Sequence, residues 1–386
     1  MRSLLLLFVM QQAPASPPPP PPHPQRSVEL TGFVLVNGFY NSARVNNSDV
    51  PQFAENDPAG IGAIGAAIRQ TRLGVSITDS DVLGGDFSGE VDVDFFGGQQ
   101  ASSGGRTFPV LRLRRAFATV SWQNVRPTVQ LLFGQESPLV AERSPRSLAS
   151  VGFPEFAGAG NLWLWIPQIR VTGEVGSRVR LALQGAVVAP GTGSPQTTFA
   201  TQPDSAERSG RPYLQARMRV AWGPTDDPSE LAIGGHAGWF LGHDSTTGDT
   251  LLVSQALTAD GRIKLGVLEL VGEAFVGKGL AGLGGGGIGQ NTGTRGVPVH
   301  TKGGWGQLNL RASPLWMLGG GCGIDDPDDA DVLATGRLKN LVCEGHFEWR
   351  PRGPLVFGLA FRRLKTTYQA GDFSVNHVNL AAGFRF

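Results

Sequence analysis

The chain has 386 residues, with 33 Lys and Arg against 32 Asp and Glu, a net charge of +1 and a mean hydropathy of −0.07. Charge this evenly balanced gives no field for holding nucleic acid. No apolar run reaches the roughly 18 residues that a membrane-crossing helix needs. A near-neutral average is nevertheless what a barrel wall gives, because its lipid-facing and lumen-facing residues alternate and cancel.

At the N-terminus, Arg2 precedes a short apolar stretch from Leu4 to Met10, and Ala13-Pro14-Ala15 stands before Ser16. That is the layout of an export signal over 1–15 with a small-x-small cleavage site. Residues 16–27 include PPPPPPHPQ (17–25), a stiff, solvated stretch expected to act as a periplasmic spacer. The remainder, 28–386, is expected to be one outer-membrane β-barrel. Cys322 and Cys343 are the only cysteines and have no CxxC spacing. In an exported protein they either bridge or remain separate thiols.

Alternating segments between turn signals follow in order. In the first half they are 28–43, 67–78, 85–97, 109–122, 127–135, 162–174, 177–188 and 212–222. In the second they are 230–241, 250–259, 265–277, 303–313, 315–323, 337–349, 354–367 and 373–386. The expected fold is therefore all-β, a transmembrane antiparallel barrel of about sixteen strands. The faces agree with this. In 213–222, Leu214, Ala216, Met218, Val220 and Trp222 alternate with Tyr213, Gln215, Arg217 and Arg219. In the last segment Leu380, Ala382, Phe384 and Phe386 alternate with small or polar neighbours, and an aromatic residue ends the chain.

The connections sort by parity. Short ones fall at 79–84, 123–127, 175–178, 223–230, 259–264, 312–314 and 350–354, and long ones at 44–66, 135–161, 189–211, 278–302 and 324–336. Short periplasmic turns against long extracellular loops characterise outer-membrane barrels, whereas a soluble sandwich has no reason to sort its loops. Trp222, Trp349 and Phe386 lie on the apolar face at strand ends, where a membrane girdle is expected. One segment conflicts with its own phase. In 109–122, turning Arg112 and Arg114 inward sends Arg115 outward and Trp122 inward, unless a β-bulge resets the alternation.

Six stretches resemble the DcaP-like family of trimeric outer-membrane porins. They are RQTRLG (69–74), LGGDFSGEVDVDFFGG (83–98), LRLRRAF (111–117), GNLWLWIPQIRV (160–171), GEAFVGKGL (272–280) and GGWGQL (303–308). The resemblance implies a sixteen-stranded barrel, a homotrimer, and diffusion of small anions such as dicarboxylates. The polyproline run stands where some family members carry a helical periplasmic extension.

In such a barrel, function lies in lumen width and in the charges lining it. The arginines expected to point inward are Arg72, Arg112, Arg114, Arg170, Arg178, Arg180, Arg217, Arg219 and Arg311. The inward acids are Asp86, Glu90, Asp92, Asp94, Glu269 and Glu273. Each arginine either braces the wall in a cross-strand pair or stays free to attract carboxylates. The long connection 135–161, with Glu142, Arg143 and Arg146, is a candidate constriction loop; an ordinary surface loop is the alternative.

Catalytic signatures are weak. His243-Asp244-Ser245 puts three triad residue types in one run, whereas a triad needs separate elements converging in space. No GxSxG, HExxH or Walker pattern occurs. GLGGGGIGQ (282–290) reads as a flexible outer loop and DDPDDAD (325–331) as a solvated acidic one. The expected function is a passive outer-membrane porin for small anionic or polar solutes. It needs no cofactor or metal, and its partners are outer-membrane lipid, lipopolysaccharide and two further copies of itself. The alternatives are a barrel enzyme, such as a lipase or protease, and an exported soluble β-rich protein that binds glycans.

Overall fold

The computed structural model describes residues 26–98, 109–192, 202–244 and 248–386. The expected signal segment 1–15, most of the spacer, and Ser245 therefore lie outside the described residues. The first strands are β1 (Ser27–Asn41), β2 (Ala63–Ala67), β3 (Arg72–Val82), β4 (Gly85–Asp94), β5 (Arg112–Trp122) and β6 (Thr128–Glu136). Next come β7 (Ile166–Gly176), β8 (Val179–Val188), β9 (Tyr213–Trp222), β10 (Ser229–Asp244), β11 (Gly248–Leu265) and β12 (Leu268–Lys278). The last are β13 (His300–Ser313), β14 (Trp316–Pro327), β15 (Arg337–Trp349), β16 (Leu355–Tyr368) and β17 (Gly371–Arg385).

Each strand from β3 onward pairs antiparallel with the next, and β1 closes the ring against β17, from Phe33 opposite Arg385 to Asn41 opposite His377. On its other edge β1 pairs with β3 through residues 27–33 and with β2 through residues 37–41. Thus β2 and β3 are two halves of one interrupted strand, and the seventeen segments fill sixteen places. Closure satisfies every edge, which lipid cannot do.

The wall is polar within and apolar without. Along β8, Val179, Leu181, Leu183 and Val187 are exposed while Arg180, Ala182, Gln184 and Ala186 are buried. Inward positions elsewhere hold Asn37, Asp94, Arg217, Asp260, Glu344, His377 and Asn379, all buried. A soluble sandwich would show the reverse arrangement.

Several expectations change. The segment expected at 67–78 is broken at 68–71, where Gln70 and Thr71 turn inward and are buried. The expected turn 259–264 is continuous strand, and β11 turns only at Gly266 and Val267. The sorting of connections holds at the short-turn end, but two on the other side are also short, 245–247 and 369–370. Residues 162–165 belong to a loop, with β7 starting at Ile166. Arg178 sits in the exposed turn between β7 and β8, outside the lumen.

The phase conflict in β5 is resolved by a bulge. Asp92 pairs with Arg115 and Val93 with Leu113, so Arg114 is the extra residue. Arg112, Arg114 and Arg115 all face the lumen as a result, and Trp122 faces outward. Cys322 and Cys343 oppose each other on β14 and β15 with Cα atoms 4.1 Å apart, and they form a disulfide on the outer face.

Leu183 lies midway along β8 and is 64% exposed on the outer face. Leu183→Arg is expected to lower folding stability by about 2–4 kcal/mol, the cost of a cation at mid-bilayer on the lipid side. Denaturant titration of folding into vesicles measures it, and an unchanged midpoint would mean this face does not meet lipid.

Candidate functional site

The connection after β6, residues 137–165, folds into the barrel. Leu139, Ala149, Glu155, Phe156, Ala159, Asn161 and Leu162 are all buried there. Its first turn carries oppositely charged neighbours that reach neighbouring strands of the wall. Glu142 pairs with Arg170 of β7 and lies 3.8 Å from Arg217 of β9. Arg143 pairs with Glu230 of β10 and, at 3.1 Å, with Asp260 of β11. Arg217 has no exposed side-chain surface and holds Asp260 through two hydrogen bonds of 2.6 and 2.9 Å, with Gln184 at 2.8 Å.

Further along, the loop's main chain is held by wall side chains. Gln307 accepts from the Arg146 N–H at 2.8 Å and donates to its carbonyl at 3.1 Å. Glu348 accepts from the Leu148 N–H at 2.9 Å. Gln70, at the break between β2 and β3, donates to the Ala149 carbonyl and accepts from the Val151 N–H. Glu273 accepts from Asn161 and from the Leu162 N–H at 3.3 and 3.2 Å. A buried main chain needs such partners wherever no strand neighbour supplies them.

Around the loop's second half, arginines stack on aromatic rings. Arg112 lies 4.8 Å from the Phe153 ring centroid and Arg114 lies 4.4 Å from that of Trp165. Arg112 also pairs with Asp94 and donates to the Gly152 carbonyl. Arg115 pairs with Glu90, Asp92 and Glu136, and Arg114 stands 3.6 and 3.5 Å from Asp92 and Asp94. Arg180 lies 3.6 Å from Glu174, and Arg219 lies 2.5 Å from Glu174 and 3.4 Å from Glu230. Most of the expected lumen arginines are thus braced by carboxylates.

What remains open is a vestibule of about 960 Å³ between the loop and the wall. Its lining carries Arg72, Arg114, Arg115, Arg146, Arg170, Arg311 and Arg350 against Glu136, Glu142 and Glu348. Arg311 is exposed and forms no ion pair among the described residues; its guanidinium lies 3.6 Å from the Met317 sulfur. Arg146 keeps 42% of its side chain exposed and lies 3.5 Å from Glu269.

Two loops depart from their expected form. Residues 282–290 lie packed rather than flexible, with the Leu283 carbonyl accepting from the N–H groups of Trp163 and Leu164. Gly284, at φ 91°, allows that approach, since a Cβ there would come 2.6 Å from the Leu164 nitrogen. In the acidic run, Asp325 is buried and accepts from Thr301 and the Ile288 N–H, while Asp326 sits between Lys302 and Lys339. Trp222, Trp349 and Phe386 all lie at the short-turn end of the outer face, where Trp122 joins them. Arg115 faces inward, against simple alternation, because of the bulge; Glu136, Glu230, Asp260 and Glu348 were not singled out in the sequence, and an expected turn hid the facing of Glu230 and Asp260.

A closed ring of sixteen antiparallel strands, polar inside and narrowed by the loop after β6, is the architecture of an outer-membrane porin. No protein-family model matches the chain, and no curated protein is similar to it. Its fold is similar to that of the outer-membrane channel DcaP of Acinetobacter baumannii, at 18% identity and a TM-score of 0.70 over 94% of this chain and 97% of that one. It is also similar to an anion-selective porin from Comamonas acidovorans, at 13% identity and TM-score 0.56 over 94% and 100% of the two chains. A trimer form of the Vibrio cholerae outer-membrane protein OmpT matches at 10% identity and TM-score 0.53, over 94% and 99%.

Removing one partner of a buried ion pair strands the other charge. Asp260→Asn, which leaves both Arg217 and Arg143 short of an acid, is expected to cost about 3–5 kcal/mol by denaturant unfolding. Burial alone would raise the Glu142 carboxyl, but Arg170, then Arg217, Arg143 and Arg219, more than offset it and hold it below the usual range. A carboxyl so depressed contributes stability that is complete above its unfolded value of about 4.3 and is lost as pH falls through the lower folded value. Glu142→Gln should therefore be less stable than the wild type at neutral pH. The gap in denaturation midpoints should close in acid, below about pH 4.

Proposed function

We propose that the chain is a passive outer-membrane porin that assembles as a homotrimer and admits small anionic solutes, dicarboxylates among them. On this reading 1–15 directs export and is removed, and 16–27 spaces the barrel in the periplasm. The outer face meets lipid and lipopolysaccharide, with Trp222, Trp349 and Phe386 in the girdle. The observation that carries the reading is the excess of arginine over glutamate on the vestibule lining, seven against three. Guanidinium charge left exposed beside a narrow water path, as at Arg311 and Arg146, attracts carboxylates and lowers the barrier for an anion. The anion-selective Comamonas porin and the trimeric OmpT form lend the same reading support from fold likeness.

Not every lumen arginine can contribute equally. Arg112 and Arg217 are tied by short bonds to Asp94 and Asp260, so a passing solute meets nearly neutral pairs. Arg311 and Arg146 keep exposed charge. Arg146→Ser combined with Arg311→Ser is expected to move the reversal potential in planar bilayers toward cation preference, with the channel otherwise intact. If the double variant keeps the wild-type reversal potential, arginine-based selectivity is wrong. If the folded wild type opens no channel, the porin reading goes with it.

A further inference from the structure

Midway round the wall, three donor side chains meet between the infolded loop and β15. Glu155 comes from the loop; Glu344 and His346, two residues apart, share the inward face of β15. All three are buried, Glu155 completely, and one ligand atom from each lies within 4.8 Å of the others. Neither carboxylate oxygen of Glu155 has a hydrogen-bond partner. The cation beside it, Arg362, donates to the main-chain carbonyl of Glu155 and makes no direct bond to the carboxylate. A buried ionised carboxylate without direct partners is costly unless a cation or a proton reaches it.

The surroundings fix the group in place. Phe156, next in sequence, stacks on Trp305 with ring centroids 5.7 Å apart. Glu344 receives Gln307 at 2.9 Å and the His346 Nδ1 at 3.0 Å. The other edge of the imidazole, Nε2, and Asn309 Oδ1 both crowd Gly319, where a Cβ would meet them at 2.5 and 2.4 Å. Only glycine leaves the ring that room. If Nδ1 is the ligand atom, Nε2 keeps the proton; Nε2 and Asn309 Oδ1 are both buried without a hydrogen-bond partner.

We propose that Glu155, Glu344 and His346 bind a divalent ion of the zinc class, which ties the infolded loop to the barrel wall. One imidazole nitrogen and two carboxylate oxygens, with water in the fourth position, suit tetrahedral zinc. The imidazole argues against magnesium or calcium, which prefer oxygen donors. Zinc-to-ligand distances of about 2.0–2.2 Å put tetrahedral donors about 3.4 Å apart, so the ligand atoms, now within 4.8 Å of one another, draw together on binding. The loop so held is the one that narrows the proposed pore, but the binding is read without any conductance measurement, so either reading can fail alone.

The test uses the folded full-length protein in detergent, stripped with chelator, dialysed and titrated with zinc chloride in a calorimeter. One zinc per chain is expected, with binding weakened at least about tenfold in Glu155→Gln and in His346→Ala. Cobalt(II) added to the stripped wild type should give the visible bands of a tetrahedral site. Gel mobility of boiled and unboiled samples checks that each variant is folded. If a variant does not fold, the cobalt spectrum of the wild type decides. No stoichiometric zinc or cobalt bands in the wild type means a proton shared by His346 and Glu344 neutralises the cluster instead, and the proposal falls. Zinc binding that is unchanged in both folded variants places the ion elsewhere and overturns it equally.

Discussion

A guanidinium with no access to solvent, Arg217, sits inside a wall whose other face is apolar. Its position follows from one constraint: on β9 every second side chain faces lipid, where a cation is costly, so the charged row must face inward. Once inside it must be paired, because a buried lone charge costs several kcal/mol. Asp260 and Gln184 supply most of that pairing from the wall, and Glu142 and Glu230 complete its surroundings. The loop that narrows the lumen is therefore part of the electrostatic closure of the wall. Arg143 shares Asp260 with Arg217, so the loop and three strands stand or fall together.

The same constraint explains why the six resembling stretches are scattered in sequence yet meet in space. RQTRLG brings Gln70 to the loop's main chain. The GEVDVDFF and LRLRR runs bring Asp94 and Arg112 together under Phe153. NLWLW supplies Trp165 to Arg114. Glu273 and Trp305, from the last two stretches, hold Asn161 and Phe156. Beyond their places in the strand ladder, which any alternating sequence could build, these segments have in common that each belongs to the infolded loop or contacts it.

The barrel itself was legible because a period of two states facing directly. Strand existence and the short turns 175–178 and 350–354 followed from it. What escaped is instructive in physical terms. Asp260 and Glu230 sit in Gly- and Asp-containing runs that read as turns, but hydrogen bonding across β10 and β11 carries the strands through them. The bulge at Arg114 was signalled only by a conflict of phase, since one extra residue leaves no compositional trace. Whether 135–161 entered the lumen could not be read at all. Its anchors come from at least nine different strands or their junctions, and nothing local in the loop encodes those partners.

Pairing also sets how far each arginine can act. Two unit charges 4 Å apart interact by about 4 kcal/mol at an effective dielectric of 20, and the figure falls as water enters. An arginine with a carboxylate in direct contact presents a solute with a dipole, whose attraction decays faster than that of a charge. Arg115, touching three acids, is nearly silent at solute distance although it lines the vestibule. Arg311, exposed and without an ion pair among the described residues, keeps more of its charge. The lumen thus separates two tasks within one residue type. Arginines deep against the loop hold its main chain and wall in shape, while the exposed ones toward the short-turn end keep charge open to the vestibule.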